Sequence, residues 1–348
     1  MARNVLITGA SGYLGGTLLA RWRAANLPPY STLYALVRTK EQGESVKKYG
    51  AEAITFDVND EAATTAAIIN NKISIVFFLI DAMASASQVS MIKALAKVKK
   101  ETGQEVHFLH TSGAKLFSNH SNHPVDRPLF DDDPQLHRIQ KESRPIFPPV
   151  QKGLDANNTI IETADEFGVK SYIFVPCIVY GQGEGFGNPI SIQTVAIVKA
   201  AKKLGQVYRP DSDILTWPVA HVIDTTMLYL EIMRKILSEQ DIPHGKAGYY
   251  LASSGSVPWN DIYGAMAKSL ASRQIIHTDS VEPADEGALE KMGHALGCPT
   301  ALVPLFLGGQ CTLESKNGHH IGWKPQFSSG HILEAADAEV ELILGNIH

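Results

Sequence analysis

Apolar residues in this chain fall into short continuous runs separated by longer stretches with helical spacing. Val5-Leu6-Ile7 is the first run, and an apolar run without alternation predicts a strand buried on both faces. Thr17-Leu18-Leu19-Ala20-Arg21-Trp22 then reads as the opening of a helix. Further strands are predicted at 32–38, 53–58, 73–80, 105–111 and 170–175. The segments between them read as helices at 44–49, 59–71, 88–100 and 155–167. In the third of these, Val89, Ile92, Leu95, Ala96 and Val98 share helical spacing and the basic end suits a helix C-terminus. Gly168 is a natural stop for the fourth. Alternating strands and helices predict an α/β fold, a Rossmann-like doubly wound parallel sheet.

Beyond residue 180 the pattern is less regular. Helices are predicted at 190–204, from the segment after Asp224 through Lys235, and at 259–271, with a strand at 248–252. We therefore divide the chain into a dinucleotide-binding domain, 1–180, and a smaller C-terminal part, 181–348, mostly substrate-binding with some segments returning to the first domain. Residues 115–150 interrupt the pattern with Asn, His, Pro and Asp, an excursion of the kind that carries function or moves.

The turn after the first strand carries the candidate chemistry. In Thr8-Gly9-Ala10-Ser11-Gly12-Tyr13-Leu14-Gly15 three glycines recur at every third position between a strand and a helix. Glycine allows the sharp turn and the close approach of a pyrophosphate, and the helix start offers free N–H groups to the anion. The alternative is a glycine-rich turn without a ligand; the strand–turn–helix context argues against it. The second strand ends at Arg38, with Lys40 nearby and no acid before Glu41. A basic residue there suits a ribose 2′-phosphate, so NADP(H) is expected in preference to NAD(H); a solvated basic loop is the plain alternative. Asp57, beside Val58 at the predicted end of the third strand, is placed to accept from an adenine amino group.

Charge and cysteine content narrow the partners. The formal net charge is −5 and charged residues make up 19% of the chain, which gives no nucleic-acid or membrane-surface footprint. No run of 18 apolar residues occurs, and the chain enters a strand at once, leaving no room for a signal peptide. Cys177, Cys298 and Cys311 are few and scattered, as in a reducing compartment, so a cytoplasmic protein is expected. Histidine spacing gives no metal site: His107 and His110 point to opposite faces of one strand, and His319-His320 are adjacent. Asp131-Asp132-Asp133 reads as a solvated lid, because consecutive acids do not converge on one ion.

The glycine turn, Asp57, Thr111-Ser112-Gly113, Val175-Pro176 with Val179-Tyr180-Gly181, His221 with Asp224, and Gly322-Trp323-Lys324-Pro325 follow one another in a familiar order. Together they resemble the extended short-chain dehydrogenase/reductases of the NAD-dependent epimerase/dehydratase type, in a fungal-type form associated with secondary metabolism. The resemblance implies an active site between the two domains, with a Ser/Thr, a Tyr and a Lys at the nicotinamide, the Tyr four residues before the Lys. Ser112 takes the first position and Lys152 fits the third, but Pro148 stands where the tyrosine belongs. No tyrosine occurs between Tyr49 and Tyr172. The usual proton relay is therefore absent.

The expected cofactor-binding residues are Gly9, Ser11, Gly12, Tyr13, Leu14, Gly15, Arg38, Asp57, Val58, Lys152, Pro176 and Val179. Ser112, Lys152 and Tyr180 are the catalytic candidates, against the plainer readings of Lys152 as a surface lysine and Tyr180 as a packing residue. Lys115 either points into the cleft or is an exposed loop lysine, and Cys177, Trp217 and Trp259 read as core. His221 and Asp224 read as a fold-stabilising pair. These features predict an NADP(H)-dependent oxidoreductase acting on a small, fairly apolar metabolite. The alternatives are a non-redox isomerase, dehydratase or rearrangement catalyst, and a dinucleotide-sensing regulator. A homodimer is the expected assembly if the long loops leave the sixth-strand helices free.

Overall fold

The structure is a computed structural model and describes residues 3–211 and 214–347. Its main sheet is built from β1 (Asn4–Ile7), β2 (Leu33–Leu36), β3 (Glu52–Ile54), β4 (Ile73–Phe78), β5 (His107–Thr111), β7 (Lys170–Pro176) and β11 (Tyr249–Ala252). These seven strands lie in the order β11-β7-β5-β4-β1-β2-β3, and every neighbouring pair is parallel. Every residue of β4 is buried, which is why its sequence shows no alternation. Successive residues instead serve opposite layers. Leu6, Val76, Phe78 and Phe108 join one hydrophobic core; Val5, Ile7, Ile75, Phe77 and Leu109 join the other.

The helices are α1 (Tyr13–Trp22), α2 (Lys40–Lys47), α3 (Glu61–Asn70), α4 (Ala86–Thr102), α5 (Leu136–Glu142), α6 (Pro148–Glu166), α7 (Gln193–Leu204) and α8 (Val222–Leu237), followed by further helices in the C-terminal part, the longest Trp259–Ser272. Thr39 caps α2 and Asp60 caps α3, each accepting from a backbone N–H two or three residues into its helix. Gly103 closes α4 in the left-handed region at φ 70°. Three small sheets complete the molecule: β8 (Ile178–Tyr180) with β10 (Thr216–His221) and β12 (Ser256–Pro258), β9 (Val207–Arg209) with β13 (Val281–Pro283), and β6 (Leu129–Phe130) with β14 (Leu313–Glu314).

Several boundaries differ from the sequence expectation. The third strand stops at Ile54, so Asp57 stands in the following turn, where its Oδ1 accepts from the Asn59 backbone and side chain. The helix predicted from 155 begins at Pro148, which occupies its first turn, where a missing N–H costs nothing. The 115–150 excursion is tied into the fold, not a solvated lid. Asp131 is buried, and its carboxylate accepts from the backbone N–H groups of Leu251, Lys316 and Asn317, joining β11 to the C-terminal segment. Asp224 and His221 are also structural, but not as a pair. Asp224 accepts from the Gln326 and Phe327 N–H groups, while His221 Nδ1 caps α8 by accepting from Ile223. No helix among the described residues is long and apolar enough to cross a membrane.

Candidate active site

The turn between β1 and α1 is as tight as its glycines allow. Gly9 lies at φ +69°, and a Cβ there would stand 2.7 Å from the Leu79 carbonyl oxygen. A Cβ on Gly15 would stand 2.3 Å from the Gly9 oxygen. No side chain caps α1, so its first N–H groups remain available at a positive helix end. Tyr13, Leu14 and Gly15 line the adjoining cavity, as do Gly9 and Gly12. An uncapped helix start against a side-chain-free cradle fits the pyrophosphate of a dinucleotide.

The cavity holds about 610 Å³ and lies at the C-terminal ends of β1, β4, β5 and β7. This is where open parallel sheets bind ligands. From the glycine turn it runs past Leu79 and Met83 to Ser112, Lys115 and the Pro176–Val179 segment. Its far wall comes from Ile192, Trp217, Leu305 and Phe306. Ser112 is buried, its backbone N–H is donated to Phe174, and its Oγ has no partner among the described residues. A buried hydroxyl beside a cavity, with no partner of its own, must turn toward the cavity to meet a ligand oxygen. Lys115 is the only charged side chain among the described lining residues, and its ammonium lies 4.8 Å from the centre of the Phe306 ring. Burial pushes the Lys115 ammonium down to about 8.

The structure brings some of the expected residues to this cavity and leaves others away from it. Gly9, Gly12, Tyr13, Leu14, Gly15, Ser112, Pro176 and Val179 line it. Lys152 does not: it is exposed on α6, whereas Val150 faces the cavity. Two residues along a helix is a rotation of about 200°, which turns Lys152 to solvent. Lys115, on the short helix that follows β5, is the lysine among the described lining residues. Tyr180 is also away from the cavity lining. It is buried on β8, its hydroxyl meets His331 Nδ1 at 3.0 Å, and burial raises its pKa. Tyr13 is the one tyrosine among the described lining residues, and its hydroxyl is donated to the Gly181 oxygen at 2.6 Å. Arg38, Asp57 and Val58 stand outside the cavity, beyond the C-terminal ends of β2 and β3. Cys177 and Trp217 are buried, as expected of core residues, yet both also face the cavity.

Residues 181–188, Gly-Gln-Gly-Glu-Gly-Phe-Gly-Asn, form a strap across the glycine turn that the sequence reading passed over. Asn188 N–H is donated to Ser11 O at 3.0 Å and Glu184 N–H to Thr17 Oγ1 at 3.1 Å. A Cβ on Gly187 would stand 2.0 Å from Ser11 O, and one on Gly185 2.4 Å from Gly16 Cα. Glycine at every second position was the available signal: two backbones meet here with no room for side chains. The strap leads directly into Asn188, Ser191, Ile192 and Gln193, which line the cavity.

Sheet order and the position of the cleft give a Rossmann-like α/β fold of the kind seen in solved epimerases and dehydratases. Residues 1–146 match the NmrA-like family. Over 355 residues the chain is 22% identical to the oxidase ucsJ of an Acremonium species, covering 93% of each protein. Among solved structures, UDP-glucose 4-epimerase of Thermotoga maritima with UDP-glucose superposes with a TM-score of 0.63 at 16% identity, over 99% of this chain and 100% of that one. The dTDP-glucose 4,6-dehydratase DesIV of Streptomyces venezuelae, with NAD and TYD bound, gives 0.65 at 13% identity, over 99% and 97%. At these identities the likeness shows the fold. Among the described residues no group of His, Cys, Asp and Glu is arranged to hold a metal ion.

Proposed function

We propose that the protein is an oxidoreductase that uses a nicotinamide dinucleotide, NADP(H) in preference to NAD(H), on a small apolar metabolite. The observation that carries this reading is the continuous cleft joining the glycine turn to the free Ser112 hydroxyl. A dinucleotide held at Gly9–Gly15 would supply or accept hydride at its nicotinamide. The chain's own part is to bind, orient and exclude water. The α1 N–H groups take the pyrophosphate, and Arg38 stands beyond β2 where a 2′-phosphate would be held. Ser112 Oγ donates to the substrate oxygen, while Leu79, Leu116, Val150, Trp217 and Phe306 keep the reacting carbon dry.

The lining also supports the substrate class. The solved structures named above are a UDP-glucose 4-epimerase and a dTDP-glucose 4,6-dehydratase, and the sugar nucleotides in those names carry diphosphates. Here Lys115 is the only charged group among the described lining residues, and the exposed Met83 and Ile192 mark the mouth. A diphosphate calls for several donors, so an apolar carbonyl compound or alcohol suits this cleft better.

The lack of any tyrosine between Tyr49 and Tyr172 favours a second reading, isomerisation or dehydration on a bound cofactor without net redox change. NADPH deuterated at C4 separates the two. Deuterium in the product supports reduction, whereas product formed without label transfer supports the second reading. Tight NADPH binding with no turnover of any apolar carbonyl overturns both.

A further inference from the structure

We propose that Lys115 is the proton donor to the substrate oxygen, in place of the missing tyrosine. This rests on the redox reading above. Three features of its position point the same way. Lys115 lines the cleft on the segment that leaves β5, three residues after Ser112, so both reach one wall of the cavity. Its turn is fixed, because its own carbonyl accepts from Ser118 and Ser121 hydroxyls at 2.8 and 2.9 Å. Among the described residues no carboxylate pairs with its ammonium, which instead faces the Phe306 ring. The other groups near it are Cys298, whose thiol is raised by burial, and His120, whose imidazole is lowered by burial. Neither supplies a fixed negative charge at neutral pH.

The chemistry balances with the reduced dinucleotide as the hydride source. As hydride adds to the carbonyl carbon, the π pair of the C=O bond moves to oxygen. That oxygen takes a proton from Lys115 Nζ, with Ser112 Oγ donating a second hydrogen bond to it. The neutral amine left behind is reprotonated by water. In the oxidative direction the neutral amine takes the alcohol proton. A lysine near 8 populates both forms around neutral pH, which suits a group that gives and takes a proton.

The test uses 9,10-phenanthrenequinone, a flat apolar dicarbonyl, as the probe. Its binding is followed by protein fluorescence from pH 6 to 10, without turnover, and its NADPH-dependent reduction is followed in parallel. In the parent protein quinone binding is expected to weaken roughly tenfold between pH 7 and pH 9, as the ammonium loses its proton. Lys115→Met should bind weakly with no pH dependence. Lys115→Arg should bind through pH 9 yet reduce the quinone poorly, because a guanidinium donates a hydrogen bond but holds its proton. Cys298→Ser should keep the parent pH profile. Quinone binding that is absent, pH-independent, or unchanged in Lys115→Met overturns the proposal. Lys115-dependent binding without C4 deuterium transfer overturns the redox reading alone.

Discussion

Glu184 grips the Arg21 guanidinium through two 2.7 Å hydrogen bonds, fastening the 181–188 strap to the helix that begins at the glycine turn. Both side chains are about a third exposed, so the pair contributes less than about 1 kcal/mol to stability. Its consequence is kinetic. Glu184→Ala should loosen the strap and raise the NADPH dissociation rate several-fold in stopped-flow fluorescence, with little change in thermal stability. An unchanged rate means that the strap does not bear on cofactor exchange.

Gly15 tests the geometry of the turn itself. Gly15→Ala places a methyl 2.3 Å from the Gly9 oxygen, so the turn must open. A destabilisation of about 1–3 kcal/mol is expected from the overpacking, together with at least a tenfold loss of NADPH affinity. Gly264, inside the 259–272 helix, has no atom within 4 Å of an added Cβ. Gly264→Ala should raise the melting temperature slightly, by the helix propensity of alanine. Equal melting behaviour of the two variants would contradict the tight turn.

On the proposed reading, Arg38 selects between the two dinucleotides. Its side chain is exposed immediately after β2, and its backbone N–H is donated to Gln42 Oε1 at the start of α2. Arg38→Ala should weaken NADPH binding about tenfold, the scale of one charge-assisted contact, and leave NADH binding nearly unchanged. Calorimetric titration of both cofactors measures the ratio. Equal affinities of the parent for the two cofactors refute the 2′-phosphate assignment.

His110 makes the protein sensitive to acid. It is fully buried beside Phe78, neither ring nitrogen has a partner among the described residues, and burial lowers its pKa to about 3. The unfolded chain takes up a proton below about 6.5, whereas the folded one does not until about pH 3. Stability is therefore present above pH 6.5 and is lost as the pH falls. The loss at pH 5 is about 2 kcal/mol for this residue alone. Buried His123, lowered to about 4, adds to it. His110→Phe should match the parent at pH 7.5 and exceed it at pH 5 in urea unfolding. Parallel pH profiles for the two proteins would rule this out.

Local pattern made the sheet legible because each signal lies within a few residues of its cause. The β4 run 73–80, the glycine turn 9–15 and the switch from strand to helix each specify their own backbone. Burial on both faces removes the polar alternation, and a positive φ or backbone contact demands glycine. The Ser112 position at a strand end was legible for the same reason.

Neighbours distant in sequence decided the rest. Nothing local tells Lys115 from Lys152; rotation around α6 sends one to solvent, and Phe306, nearly two hundred residues away, forms the wall facing the other. Asp131 became a buried anchor because Leu251, Lys316 and Asn317 bring it three N–H groups. Strap 181–188 is explained by contact with Ser11 and Gly16. The sequence by itself determined the parallel, Rossmann-like sheet and its glycine turn, through hydrophobic periodicity and the conformational needs of glycine. Tertiary structure decided which lysine and which hydroxyl share the cleft, because burial and side-chain direction depend on packing that no short stretch of chain contains.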